Sequence, residues 1–122
     1  MHILVVDDER DVQLLFEQHF RRELRAHQIA LHFAFSGQAA LDALKRQEAY
    51  QIVLILTDIN MPGMSGLELL KQIKACYRHL KVFLLTAYND AYNYDTAMQY
   101  GADAYLTKPL DFAVLKQKIQ AL

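Results

Sequence analysis

The sequence predicts an α/β domain built as (βα)5, a doubly wound parallel five-stranded sheet with strand order 2-1-3-4-5. Three observations predict it. Short apolar runs alternate with segments of helical periodicity along the whole chain. The runs 3–6, 52–56 and 82–85 are apolar at every position, so both faces of those strands need cover, as in the centre of a parallel sheet. Carboxylates, a hydroxyl and a lysine close four of the five runs, which brings them to one edge if the strands are parallel.

The elements follow in order. Ile3-Leu4-Val5-Val6 is the first strand and ends on Asp7-Asp8-Glu9. Val12, Leu15, Phe16, His19, Phe20 and Leu24 recur at helical spacing, and the mixed charges of 21–28 extend that helix along a solvated face. The run 29–35 carries polar His32 in its middle, which suits an edge strand. Ser36 stands as N-cap before Ala40, Leu41 and Leu44, and Ser65 before Leu67, Leu70, Ile73 and Tyr77. Asn89 or Asp90 caps a fourth helix through Tyr94, Ala97 and Met98, which Gly101 ends. The short run 104–107 is the other edge strand. Asp111 opens a last helix through Phe112, Leu115, Ile119 and Leu122. Right-handed crossovers put helices on both faces, and strands 1 and 3 meet where the connections reverse direction. Ligands of open α/β sheets bind beyond the strand C-termini at that point.

At 122 residues the chain reads as one domain, 1–122, either whole or the N-terminal part of a longer protein. An apolar fraction of 53% with 22% charged residues belongs to an ordinary soluble globule. The formal net charge of -1 supplies no global attraction for nucleic acid or membrane, so direct binding to either is not expected. The single cysteine, Cys76, rules out an internal disulfide and reads as a partly buried helix thiol. The start MHILVVDD lacks the features of a signal peptide, and no apolar run is long enough to span a bilayer. A cytoplasmic setting is expected.

The acidic residues set the chemistry. Two like charges about 4 Å apart repel by about 4 kcal/mol at an effective dielectric of 20. Asp7, Asp8 and Asp58 gathered in one pocket therefore need a cation or a raised pKa. Mg2+ fits: it is small and hard, and takes one or two carboxylates while keeping several waters. Each feature alone has a plainer reading. An acidic pair after a strand often caps a helix, Asp58 before Asn60 and Met61-Pro62-Gly63 suits a turn, and a lysine before proline is commonly a solvated loop residue. Only their joint occurrence at the strand ends is specific.

At these residues the chain resembles the receiver domain of two-component response regulators, of the chemotaxis-receiver kind with a flavodoxin-like fold. The matching blocks are Val5-Val6-Asp7-Asp8-Glu9, the stretch from Thr57 to Gly66, Leu84-Leu85-Thr86-Ala87, and the stretch from Gly101 to Leu110. They lie in the family's order and span Ile3 to about Ile119. The resemblance implies that Asp58 is the phosphoacceptor, receiving its phosphoryl group from a histidine kinase or phosphotransfer protein. Asp7 and Asp8 would bind Mg2+ with Asp58, one of them through water, and Asn60 would add its backbone carbonyl. Thr86 would be the switch hydroxyl, Tyr105 the aromatic switch residue, and Lys108 the lysine that pairs with the phosphoryl group across a cis bond to Pro109. Tyr88 would stand over the pocket mouth and, with Asn60, tune access of water to the acyl phosphate.

The resemblance also implies an output face of helix 4, strand 5 and helix 5 that meets an effector domain or partner protein. In this chain that face is rich in tyrosine, with Tyr88, Tyr92, Tyr94, Tyr100 and Tyr105. A phosphorylation-linked dimer is a further expectation, and helix 1 is a usual docking surface for the kinase. The charge set typical of the branch with winged-helix DNA-binding domains is not evident, and Leu110 stands where that branch commonly has phenylalanine. On this reading the protein is a signalling domain that modifies its own aspartate and loses the group again, not a turnover enzyme. Three other readings compete. An aspartate-nucleophile phosphatase of haloacid dehalogenase type wants a second Asp two positions on, where this chain has Asn60. A flavin-binding protein of similar fold wants a phosphate cradle, which Asp7-Asp8-Glu9 would repel. A degenerate receiver acting only as a binding module would have lost some of the acids, Thr86 or Lys108, and all are present.

Overall fold

The computed structural model describes residues 1–46, 50–87 and 91–122. In chain order the elements are β1 (His2–Val6), α1 (Asp11–His19), α2 (Arg21–Arg25), β2 (Ala30–Ala34), α3 (Gly37–Leu44), β3 (Ile52–Asp58), α4 (Gly66–Cys76), β4 (Lys81–Thr86), α5 (Ala91–Gln99), β5 (Ala104–Thr107) and α6 (Phe112–Gln120). The strands form one sheet in the order β2-β1-β3-β4-β5, parallel at every pairing. This is the expected (βα)5 topology, with its reversal between β1 and β3.

Alternation along the strands divides the core in two. Leu4, Val6, Ile55, Val82 and Leu84 face one side and pack with Ala40 and Leu44 of α3, Leu69, Leu70 and Ile73 of α4, and Ala97 of α5. Ile3, Val5, Leu54, Leu56, Phe83 and Leu85 face the other, beneath Phe16 of α1, Phe20 between α1 and α2, and Leu115 and Ile119 of α6. The expected caps form. The Ser36 hydroxyl accepts from the Ala39 N–H, that of Ser65 from Glu68, and the Asp111 carboxylate from Ala113 and Val114. Gly101 takes a positive φ of 91°, and the following Ala102 N–H closes on the Ala97 carbonyl. The alternative caps Asn89 and Asp90 of α5 lie outside the described residues, as does Tyr88.

Four details differ from the sequence reading. The first predicted helix is two segments, α1 and α2, because Phe20 leaves helical angles (φ -103°, ψ 17°). Its ring is fully buried, 5.9 Å from Phe16 and 6.1 Å from Phe112 between ring centroids. The ladder nonetheless runs on through Phe20 N–H to Phe16 and Leu24 N–H to Phe20. The predicted helices 4 and 5 are consequently α5 and α6. Val53, expected under cover on both faces, is 42% exposed. The β1–β3 register steps from His2↔Ile52 to Ile3↔Leu54, so Val53 has no partner across the pair and is extruded. Tyr77 is the C-cap just past α4 rather than inside the helix, though it still packs on the core with Leu67, Leu70 and Ile73. Cys76, the last residue of that helix, is exposed rather than partly buried.

Candidate functional site

The C-terminal ends of β1 and β3 are adjacent, and each delivers a carboxylate. Asp7 follows β1; its N–H donates to the Ala34 carbonyl at 3.1 Å, and its side chain accepts from the Glu9 N–H at 3.0 Å. Those bonds pin the carboxylate inside, only 3% exposed, whereas Asp8 points out and is exposed. Asp58 is the last residue of β3. One of its oxygens, Oδ1, accepts from the Ile59 N–H at 2.9 Å, and Ile59 N–H also reaches the Leu85 carbonyl of β4. One oxygen from each of Asp7, Asp8 and Asp58 lies within 4.8 Å of the others.

Lys108 arrives from the far edge of the sheet. It follows β5, its peptide to Pro109 is cis, and its N–H donates to the Thr86 carbonyl at 2.7 Å. Its ammonium stands 3.2 Å from Asp7 Oδ2 and 3.7 Å from Asp58 Oδ1. Thr86 closes β4 and is fully buried. Asn60 is exposed on the loop just past Asp58. The structure thus gathers Asp7, Asp8, Asp58 and Lys108 into one cup with Thr86 bonded to the lysine's backbone. Tyr105 is elsewhere: it is half-buried on β5 and meets Tyr94 of α5 edge-on at 5.4 Å.

The cup's electrostatics follow from this crowding. Burial raises the Asp58 pKa above the ordinary carboxylate range, and Asp7 and Asp8 add to that, against the opposing pull of Lys108 and the Ile59 N–H. Burial works against the charge on Lys108, but Asp58 and Asp7 together outweigh it and hold its pKa up. The donor set suits a hard divalent cation. It is all oxygen, with one buried, one partly buried and one solvent-facing carboxylate, which leaves room for the waters Mg2+ retains. Soft metals would want sulfur or imidazole, and the cup has neither.

One residue of the site carries no side chain and is easily passed over in the sequence. Gly66 opens α4, and a Cβ there would overlap the carbonyl oxygen of Asp58. Its N–H donates to the Ile59 carbonyl at 2.7 Å. The helix start is pressed onto the backbone that carries the central carboxylate. The available signal was a poor helix former directly after the Ser65 cap. Beside the cup runs an apolar groove of about 560 Å3 lined by Val12, Leu15, Phe16, Lys108, Leu110 and Phe112. Leu15 of α1, which lines the groove, is 43% exposed.

Comparison with known proteins identifies the family. Residues 3–120 match the family model of the response regulator receiver domain. Response regulator RppA of Synechocystis is 33% identical over 122 residues, covering all of this chain and 50% of that protein. Sporulation initiation phosphotransferase F of Bacillus subtilis is 29% identical over 119 residues, 97% of this chain and 90% of that protein. The crystal structure of a CheY-like response regulator receiver domain protein from Methanospirillum hungatei superposes with a TM-score of 0.86 at 28% identity, covering 98% of this chain and 90% of that one. The chain spans about half the length of several curated relatives it matches, RppA among them. No helix among the described residues is long and apolar enough to cross a membrane.

Proposed function

This chain belongs to the response regulator receiver family, and from that premise we propose that it is a phosphorylation-dependent switch in which Asp58 accepts a phosphoryl group from a histidine kinase or phosphotransfer protein. The observation that carries the reading is the meeting of three carboxylates within 4.8 Å with one ammonium in contact with two of them. A carboxylate is already ionised at neutral pH and is a competent nucleophile. Because Oδ1 is held by the Ile59 N–H, Oδ2 is the oxygen that attacks phosphorus in line. The new O–P bond forms as the P–N bond of the phosphohistidine breaks, and the imidazole leaves neutral after taking up a proton.

The transition state needs positioning and neutralisation of the equatorial oxygens. Lys108, held by its backbone bond to Thr86, brings one positive charge, and the Thr86 hydroxyl is a donor at the neighbouring strand end. Asp7, Asp8 and Asp58, with the Asn60 carbonyl, would hold Mg2+. When bound, the ion would supply positive charge to offset the carboxylates and the incoming phosphoryl group. After transfer, Thr86 shifts toward the phosphoryl group and Tyr105, one strand over, turns further in, which changes the α5-β5-α6 face offered to an effector. Tyr92 and Tyr94 on that face are 76% and 46% exposed. The apolar groove beside the cup, lined in part by Leu15, supports docking of the phosphodonor along α1. Incubation with a small-molecule phosphodonor and Mg2+, followed by intact-mass and peptide analysis, tests the reading. One phosphoryl group on Asp58 is expected; no adduct, or an adduct on another residue, overturns it.

A further inference from the structure

The loop between β3 and α4 is fixed at both ends. Ile59 bonds to Leu85 and to Asp58, and Gly66 bonds back to Ile59. Between those ends Pro62 and Gly63 are exposed, Gly63 has a positive φ of 74°, and nothing lies within 4 Å of where its Cβ would be. Two methionines anchor this middle stretch. Met61 is inserted in the core at 9% exposure. Met64 is laid across Gly37, the first residue of α3, and also accepts a weak bond from Gln72 of α4 at 3.9 Å.

The Gly37 contact is unusually close. A Cβ on Gly37 would lie 2.8 Å from Met64 Sδ, 2.9 Å from its Cβ and 3.0 Å from its Cγ. The 2.9 Å contact is with Cβ, which cannot move without its backbone, so rotation of the thioether alone would not relieve an added methyl. Gly37 has no positive φ and is a poor residue for a helix interior; the requirement for glycine here is room, not conformation. Met64 is therefore seated in a notch on α3, an element whose start follows β2 and the backbone bond from Asp7 to Ala34.

We propose that Met64 is a positioning residue for the metal-binding loop: by filling the notch at Gly37 it fixes the placement of Asn60 and its carbonyl relative to the carboxylate cup. The inference rests on the reading of the cup as a Mg2+ and phosphoryl site. It assigns Met64 no contact with the ion. Groups that orient a metal ligand typically cost about 10- to 100-fold in affinity when removed, and the lower end applies to one of several constraints on a loop.

The test is Mg2+ affinity of the whole chain by calorimetry, with far-UV circular dichroism melts as the control for folding. Met64→Ala is expected to weaken Mg2+ binding about tenfold while remaining folded, and Met64→Leu, which refills the notch, is expected to restore affinity. Gly37→Ala is expected to weaken binding as well, with the double substitution less than additive because both act at one contact. If Gly37→Ala does not fold, the Ala and Leu variants of Met64 decide alone. Equal Mg2+ affinity in wild type and Met64→Ala overturns the proposal, as does an affinity that follows melting temperature rather than the shape of residue 64. Absence of Mg2+ binding by the wild type would instead overturn the reading of the cup itself.

Discussion

Replacing Asp58 by asparagine should stabilise the metal-free protein although it removes a residue central to the site. Asp58 lies within 4.8 Å of Asp7 and Asp8. At that separation two like charges repel by about 3.5 kcal/mol at an effective dielectric of 20. Its attraction to Lys108 at 3.7 Å is worth about 4.5 kcal/mol on the same scale. Asp8 is exposed, so its share is screened to a fraction of that figure. The cost of burying the Asp58 charge is the largest contribution, and the repulsions from Asp7 and Asp8 roughly offset the attraction to Lys108, so burial decides the balance. The net gain for Asp58→Asn is about 1–2 kcal/mol, which raises the melting temperature by about 3–8 °C in a chain of this size.

The pH dependence has a fixed direction. The folded-state pKa of Asp58 is raised above its ordinary value, so the fold holds this proton more tightly than the unfolded chain does. Its contribution to stability is complete below the ordinary carboxylate range and is lost as pH rises through the raised value. The advantage of the asparagine variant is therefore full at neutral pH and shrinks on acidification. Mg2+ at ten times its Kd adds about 1.4 kcal/mol to a protein that binds it, so the ion should close most of the gap by stabilising wild type more than the variant. Thermal melts in chelator and in Mg2+, across pH, measure all of this. An asparagine variant less stable than wild type in chelator, or equal stabilisation of both proteins by Mg2+, would refute the electrostatic account.

Other substitutions probe separate parts of the structure. Gly66→Ala should cost roughly 2–4 kcal/mol in denaturant unfolding, because its Cβ would collide with the Asp58 carbonyl; a loss under about 1 kcal/mol would refute the requirement for glycine at this position. Thr86→Ala should still take a phosphoryl group yet leave the Tyr105 resonances unmoved on phosphorylation, and a wild-type shift in that variant would remove Thr86 from the relay. The His2 and His32 ring nitrogens are 2.9 Å apart, and burial, then the neighbouring His2, holds the His32 pKa below its usual value. Neutral His32 is thus favoured by the fold: its contribution is present above the ordinary histidine range and is lost as pH falls through the lowered value. Melts between about pH 7 and pH 5 should fall more steeply in wild type than in His32→Gln, and parallel slopes would count against the pair.

Much of this architecture was legible in the chain. The runs around Leu4, Ile55 and Leu84 have no polar face, and only a sheet covered on both sides accepts them. Ser36, Ser65, Asp111 and Gly101 marked helix ends because each solves a local hydrogen-bonding or backbone problem. The cup could be anticipated because strand polarity brings Asp7, Asp58, Thr86 and Lys108 to one edge whatever their side chains do. What escaped depends on register and close packing. Nothing local to Val53 announces the slip opposite His2 and Ile3. The break at Phe20 arises from its ring entering the core near Phe16 and Phe112, a distant partner. The burial of Asp7 against the exposure of Asp8 follows from bonds to Ala34 and Glu9 rather than from residue type. The glycine requirements at 37 and 66 come from Met64 and from the Asp58 carbonyl, neighbours that only the folded chain supplies.

Titration with beryllofluoride in the presence of Mg2+, followed by fluorine NMR, addresses the central claim most directly. A bound fluoride spectrum in wild type that needs Mg2+ and vanishes in Asp58→Asn is the expected result. Wild type that binds no beryllofluoride, or an asparagine variant that binds it equally well, would contradict the assignment of Asp58 as the phosphoacceptor.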